Sequence, residues 1–170
     1  MLICSFLAVF IFSGCKKSAS GTEGLNGDAF IQFSTDYFFG GKNEFKSNST
    51  VGGFVTRINT AGKTQIIIAA VQMDGSQIGT AILNIYVPQN YSGAISGKFE
   101  NGSDKDTQAV LAISISNAGT IQEDYTSLSG NYSITKLTDT GIEGTFNAYC
   151  RNEGSGNNIS LSNGEFSGKF

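Results

Sequence analysis

The sequence predicts an all-β protein, an antiparallel β-sandwich or barrel of roughly eight to ten strands with Gly- and Asn-rich turns. Three observations carry this expectation. The chain has 22 Gly against a single Pro, and 13 Phe, a balance that favours strands and tight turns over surface helices. Beyond residue 53, short segments rich in Ile, Val, Thr, Phe and Tyr are separated by clusters of Gly, Asn, Asp and Ser. Within several of these segments apolar and polar residues alternate, and no stretch places apolar residues at convincing helical spacing.

Met1 to Gly14 carry no charge, and Leu2 to Phe12 is almost unbroken apolar chain apart from Cys4 and Ser5. This is the h-region of an export signal, shorter than the roughly 20 residues a spanning helix needs. Ser13 and Gly14 supply the small residues a signal peptidase requires. The run Phe12-Ser13-Gly14-Cys15 resembles the lipobox of bacterial lipoproteins. That resemblance implies acylation of Cys15, cleavage before it, and a stable membrane anchor once two or more acyl chains are present. An ordinary secretory signal and an N-terminal strand are the competing readings of the same residues.

Residues 15–27 hold the lipidation site Cys15 and then a polar stretch, Lys16 to Gly27, that reads as a flexible tether. Residues 28–170 form a single all-β domain, long enough for one core and short for two. Ala29 to Phe39 is rich in aromatics and allows a short helix within Thr35 to Gly40. The loop that follows contains two isolated large residues, Phe45 and Val51.

Strands are then expected over Phe54–Thr60, Thr64–Met73, Ile78–Val87, Ala94–Glu100, Thr107–Ser116, Tyr132–Leu137, Ile142–Cys150 and Asn158–Phe170. Thr60-Ala-Gly-Lys63 and Asp74-Gly75 mark hairpin turns, so consecutive strands are expected to be antiparallel neighbours. Pro88 closes the strand that ends at Val87. Ala109, Leu111, Ile113 and Ile115 share one buried face. Ile142, Phe146, Ala148 and Cys150 share another, with Glu143, Thr145, Asn147 and Tyr149 opposite. The apolar run Ile66 to Val71 fits a strand covered on both faces. Ile95-Ser-Gly-Lys-Phe99, Ile142-Glu-Gly-Thr-Phe146 and Phe166-Ser-Gly-Lys-Phe170 repeat a spacing in which Gly leaves room for a neighbouring aromatic ring.

The chain has no His, which removes the commonest general base and zinc ligand. Its carboxylates have no distinguishing context for a paired-carboxylate mechanism. No catalytic residue and no cofactor is expected, and the chain reads as a non-enzyme. Asn101 to Asp106 offers oxygen ligands at alternating positions but lacks the later carboxylate of a calcium loop, so no metal is expected. The net charge of −3 gives no basic footprint, so nucleic acid is not an expected partner. Tyr86, Tyr91, Tyr125, Tyr132 and Tyr149, read as lying on polar faces, are the candidates for a sugar-stacking platform. Cys150 has no basic neighbour on its own face and reads as a core residue.

The lipobox, the polar tether, the Gly-rich β domain and the ending Ile159-Ser-Leu-Ser-Asn-Gly-Glu-Phe166 together resemble small uncharacterised lipoproteins of the Bacteroidota type. The resemblance implies an outer-membrane lipoprotein, periplasmic or surface-facing, and transfers no catalytic residue. Four functions remain in competition: a binding or structural module that engages an envelope protein or another ligand, a carbohydrate-binding accessory protein, an enzyme of unfamiliar type, which would require two or more carboxylates or Tyr residues converging in one cleft, and a barrel holding a small apolar molecule. The last requires an interior cavity of at least ~300 Å³.

Overall fold

The structure, a computed structural model, describes residues 28–36, 42–47, 52–60, 62–99 and 108–170. The signal residues, Cys15, the tether, Tyr37–Gly40 of the possible helix and the Asn101–Asp106 segment lie outside the described residues. Among the described residues, ten strands are present: β1 (Phe30–Thr35), β2 (Glu44–Lys46), β3 (Gly53–Thr60), β4 (Lys63–Asp74), β5 (Gln77–Pro88), β6 (Ile95–Phe99), β7 (Gln108–Asn117), β8 (Thr120–Leu137), β9 (Gly141–Arg151) and β10 (Asn158–Lys169). They form one sheet in the order β2-β1-β10-β9-β8-β6-β7-β5-β4-β3, which is all-β, mostly antiparallel and not closed into a barrel.

Two runs of hairpins build most of it. Gly62 and Gly75 take φ of 78° and 62°, the left-handed backbone that the β3–β4 and β4–β5 turns require and that glycine adopts without a side-chain clash. Between the two runs the expectation of antiparallel sequence neighbours fails. β6 runs parallel to β7, with Lys98 and Phe99 opposite Gln108 and Ala109, and β5 pairs with β7 instead. The cause lies in β8, which pairs with β7 along Thr120–Thr126 and then exchanges it for β6 along Asn131–Ile134.

β8 also begins twelve residues before the expected Tyr132, at Thr120. Its first half reads Thr-Ile-Gln-Glu-Asp-Tyr-Thr-Ser and lacks a β-branched run. Pairing with β7 along this half, joined by β9 from Thr126 on, holds it extended, a tertiary override of weak local preference. The opening third contains two strands that the sequence left unplaced. β1 pairs with β10, and β2 exists because Phe45 stacks on Phe33 with ring centroids 5.0 Å apart.

The sheet curls until its ends meet along a seam without a hydrogen-bonded ladder. Three inward residues of β3 make the contact. Gly53 lies against Ala29, Val55 fills the space above Gly168, and the Arg57 guanidinium stands 4.5 Å over the Phe170 ring. Arg57 also donates to the Thr138 carbonyl and faces Asp139 at 3.8 Å. Farther along, the Lys46 amide donates to Gln72 Oε1 at 2.9 Å, tying β2 to β4.

Inside this curl lies a single core that includes Ile31, Ile66, Ile68, Leu83, Ile85 and Leu111. Phe33, Phe99, Phe146 and Phe166 meet around Phe146 at centroid distances of 6.1 to 6.4 Å. Each buried side chain of this size contributes about 1.5–3 kcal/mol through removal of apolar surface from water. The expected faces of Ala109–Ile115 and Ile142–Cys150 are the observed ones.

Glycine and phenylalanine interlock across β9 and β10. Gly144 pairs with Phe166 and Gly164 with Phe146, and each ring covers the glycine opposite. A Cβ on Gly164 would stand 2.7 Å from the Phe146 ring, so the bare backbone is what admits the aromatic.

The Ile66–Val71 run departs from expectation. Ile66, Ile68 and Ala70 enter the core, and Ala69 is covered by Phe54 and Ile82 on either side, but Ile67 and Val71 are only half-buried. Among the described residues, the outer face of β3, β4, β5 and β7 sets Phe54, Ile58, Ile67, Val71, Met73 and Ile82 among Thr56, Gln65, Thr80, Asn84 and Ser114, whereas the outer face of β6, β8, β9, β10 and β1 is mainly polar.

Candidate binding face

Inward residues of β8 through β1 fill the core, so their alternate residues must point outward. Strand register then decides which of these meet. Ser96 on β6 stands opposite Ser133 on β8, which stands opposite Thr145 on β9, then Glu165 on β10, Gln32 on β1 and Lys46 on β2. One row of short hydroxyl, amide and charged groups therefore crosses six strands at a repeat of about 4.8 Å.

Hydrogen bonds along the row fix parts of it. Ser96 Oγ donates to Ser133 Oγ at 3.1 Å, and Gln32 Nε2 donates to Glu165 Oε2 at 2.7 Å. In the flanking row, Lys136 Nζ meets Glu143 Oε1 at 3.0 Å. Asn131 and Asn147 face each other on the other side.

Two open depressions follow this face. One of about 680 Å³ is lined by Phe30, Lys136, Glu143, Thr145, Glu165 and Lys169, and one of about 500 Å³ by Ser96, Asn131, Ser133, Asn147 and Asn163. Thr145 and Glu165 line both, so the two depressions adjoin along the row, and together they are the polar trough. A further depression of about 490 Å³ lies at the seam around Arg57, Asn59, Asn90, Tyr91 and Asp139.

The tyrosine platform is not assembled. Tyr125 and Tyr132 are 5% and 2% exposed and point into the core. They stand seven positions apart, so a regular strand would place them on opposite faces. The β-bulge between Ser127 and Ser129 shifts the phase and turns both inward. The Tyr125 hydroxyl donates to the Glu123 carboxylate, and the Tyr132 ring meets Phe99 edge-on at 5.9 Å.

Of the remaining three, Tyr86 lies half-buried on the outer face of the apolar half. Tyr91 donates to the Ala94 carbonyl at 2.7 Å in the loop after β5. Tyr149 alone stands on the polar half, 41% exposed. Comparison of the chain with known protein families, curated proteins and solved structures returned no match. The face must therefore be read from its own chemistry.

Among the described residues, no three His, Cys, Asp or Glu come together to hold a metal ion, and no helix is long and apolar enough to cross a membrane. Cys150 is fully buried, and burial pushes its thiol from 9.0 up to about 12. The Tyr132 hydroxyl, buried without a hydrogen-bond partner, rises from 10.0 to about 12 for the same reason.

Both groups have folded values above their unfolded ones, so their stabilising effect is complete below pH 9 and is lost as pH rises toward 12. Urea midpoints should stay level up to about pH 9 and then fall by an amount worth a few kcal/mol. Cys150→Ala should flatten part of that fall. An alkaline limb unchanged in both Cys150→Ala and Tyr132→Phe would show that other groups govern it.

Proposed function

We propose that this chain is an exported lipoprotein, acylated at Cys15, whose β domain is a non-enzymatic binding module for a polyhydroxylated ligand, a glycan, held along the polar trough. The observation that carries this reading is the row Ser96–Ser133–Thr145–Glu165–Gln32–Lys46. It presents hydroxyl, carboxylate, amide and ammonium groups in one line on rigid strands, and its Ser and Thr side chains lose little conformational entropy on binding. Sugar hydroxyls both donate and accept, which matches such a row. Among the described residues, Phe30 lines the trough, Tyr149 stands on the same half, and the other lining rings, Tyr132, Phe146 and Phe166, are buried, so the ligand is held mainly by hydrogen bonds, and millimolar affinity is the scale expected.

The interior apolar ligand is disfavoured by the packing of the same fold. Phe33, Phe99, Tyr132, Phe146 and Phe166 occupy the space such a molecule would need. Binding to a glycan array, followed by titration of the best hit, tests the glycan reading. Thr145→Val/Glu165→Gln should weaken that hit about tenfold or more, since hydrogen bonds to charged groups contribute about 1.5–3 kcal/mol each. Failure of the unaltered protein to bind any glycan at millimolar concentration would remove it.

A further inference from the structure

The two outer faces of this sheet differ in a way the trough does not use. On β3, β4, β5 and β7 the outward side chains between Phe54 and Ser116 include Phe54, Ile58, Ile67, Met73, Ile78 and Ile82, and none from the strand interiors is charged. Register gathers them. Phe54, Ala69, Ile82 and Ala112 form one row across the four strands, and Met73 faces Ile78 in another. Ile58, Met73 and Ile82 are 42%, 43% and 39% exposed. Four strands and five rows span a sheet area of about 600 Å², on which these apolar side chains lie among the uncharged polar Thr56, Gln65, Thr80, Asn84 and Ser114.

The occupant is indicated by where the chain enters the domain. Ala29 stands against Gly53, the residue before Phe54, so the tether that precedes the described structure begins at the seam, between the border of this face and the end of the trough lined by Asp28 and Phe30. From Cys15 to Asp28 the chain reaches at most about 45 Å. Lys16 and Lys17 lie at its membrane end, where cations are drawn to anionic headgroups. The patch falls short of the roughly 800 Å² per partner of a standard protein interface. A surface to which the domain is already tethered needs no such area, because the tether supplies a high effective concentration.

We infer that the outer face of β3–β4–β5–β7 lies on the lipid surface, through Phe54, Ile58, Met73 and Ile82, and that the polar trough is thereby turned away from the membrane. The inference rests on the acylation of Cys15 proposed above and adds an orientation to it. Single cysteines introduced as Ile82→Cys and Thr145→Cys in the full chain, expressed with its own signal, carry an environment-sensitive fluorophore. Cys150, being buried, is not labelled in the folded protein.

The labelled proteins are placed in vesicles of phosphatidylethanolamine and phosphatidylglycerol containing nitroxide lipids. The label at 82 should shift to the blue and lose most of its emission to the nitroxide, while the label at 145 keeps both colour and intensity. Acylated protein with neither label quenched, or both quenched alike, overturns the face assignment and leaves the anchor standing. An intact mass without acyl chains removes the anchor and the orientation with it. A doubled molar mass in solution, with the label at 82 already shifted before vesicles are added, assigns the face to a second copy and overturns contact with lipid.

Discussion

Phe146→Ala should lower the stability of the domain by about 3–5 kcal/mol, read as a fall in the urea midpoint at unchanged slope. The ring is the centre of the aromatic cluster. It meets Phe33 and Phe99 edge-on at 6.1 Å, tilts against Phe166 at 6.4 Å, and covers Gly164. Deletion removes three ring contacts and leaves a void that Gly164, having no side chain, does nothing to fill. The loss would be a large part of the about 5–15 kcal/mol typical of a domain. Phe146→Leu keeps much of the volume and should cost less than half as much. A loss below about 1 kcal/mol for the alanine variant would mean that the cluster collapses into the gap and that the ring contacts matter little.

The second large effect concerns the glycine on the other side of the same interlock. Gly144→Ala should cost about 3 kcal/mol or more, because its Cβ would fall inside contact distance of both the Phe166 ring and the Ser133 carbonyl. A ring can rotate away, but the Ser133 carbonyl belongs to the neighbouring strand backbone and moves only with the ladder. Gly154→Ala supplies the comparison, since the nearest atom to its new Cβ is Asn152 Oδ1 at an ordinary 3.4 Å. That variant should melt close to the unaltered protein. Equal melting temperatures for the two variants would contradict the interlock as described.

Much of the fold was legible because alternation records burial. β3, β4, β5, β7, β9 and β10 lie within a residue or two of their expected bounds, and Cys150 points inward as its neighbours imply. What escaped has identifiable causes. β1 and β2 are short and set among Gly and Asn, so their strand character comes from β10 and from the Phe33–Phe45 stack. The first half of β8 carries Gln, Glu and Asp, and only its partners make it extended.

Tyr125 and Tyr132 were misplaced because a bulge leaves no mark in the alternation it interrupts. The polar trough was illegible for a different reason. Ser96, Ser133, Thr145, Glu165, Gln32 and Lys46 each look like an ordinary wet position, and only the register of strands far apart in the chain makes them a row. The repeated spacing around Gly97, Gly144 and Gly168 announced its use at one place, Gly144, where the Phe166 ring sits; Val55 takes the space at Gly168, and the ring of Phe146 covers Gly164, which the repeat does not contain.

The pairing of β1 with β10 joins the first described strand to the last. Phe30, nearest the tether, stands opposite Ser167, and the ladder continues to Thr35 opposite Leu161. A pull transmitted along the tether would thus act along the axis of β1 and strain its hydrogen bonds together, in shear, instead of peeling them one at a time. Because β2, the other neighbour of β1, pairs with no further strand, a load taken up by β1 would reach the rest of the sheet through the β1–β10 ladder.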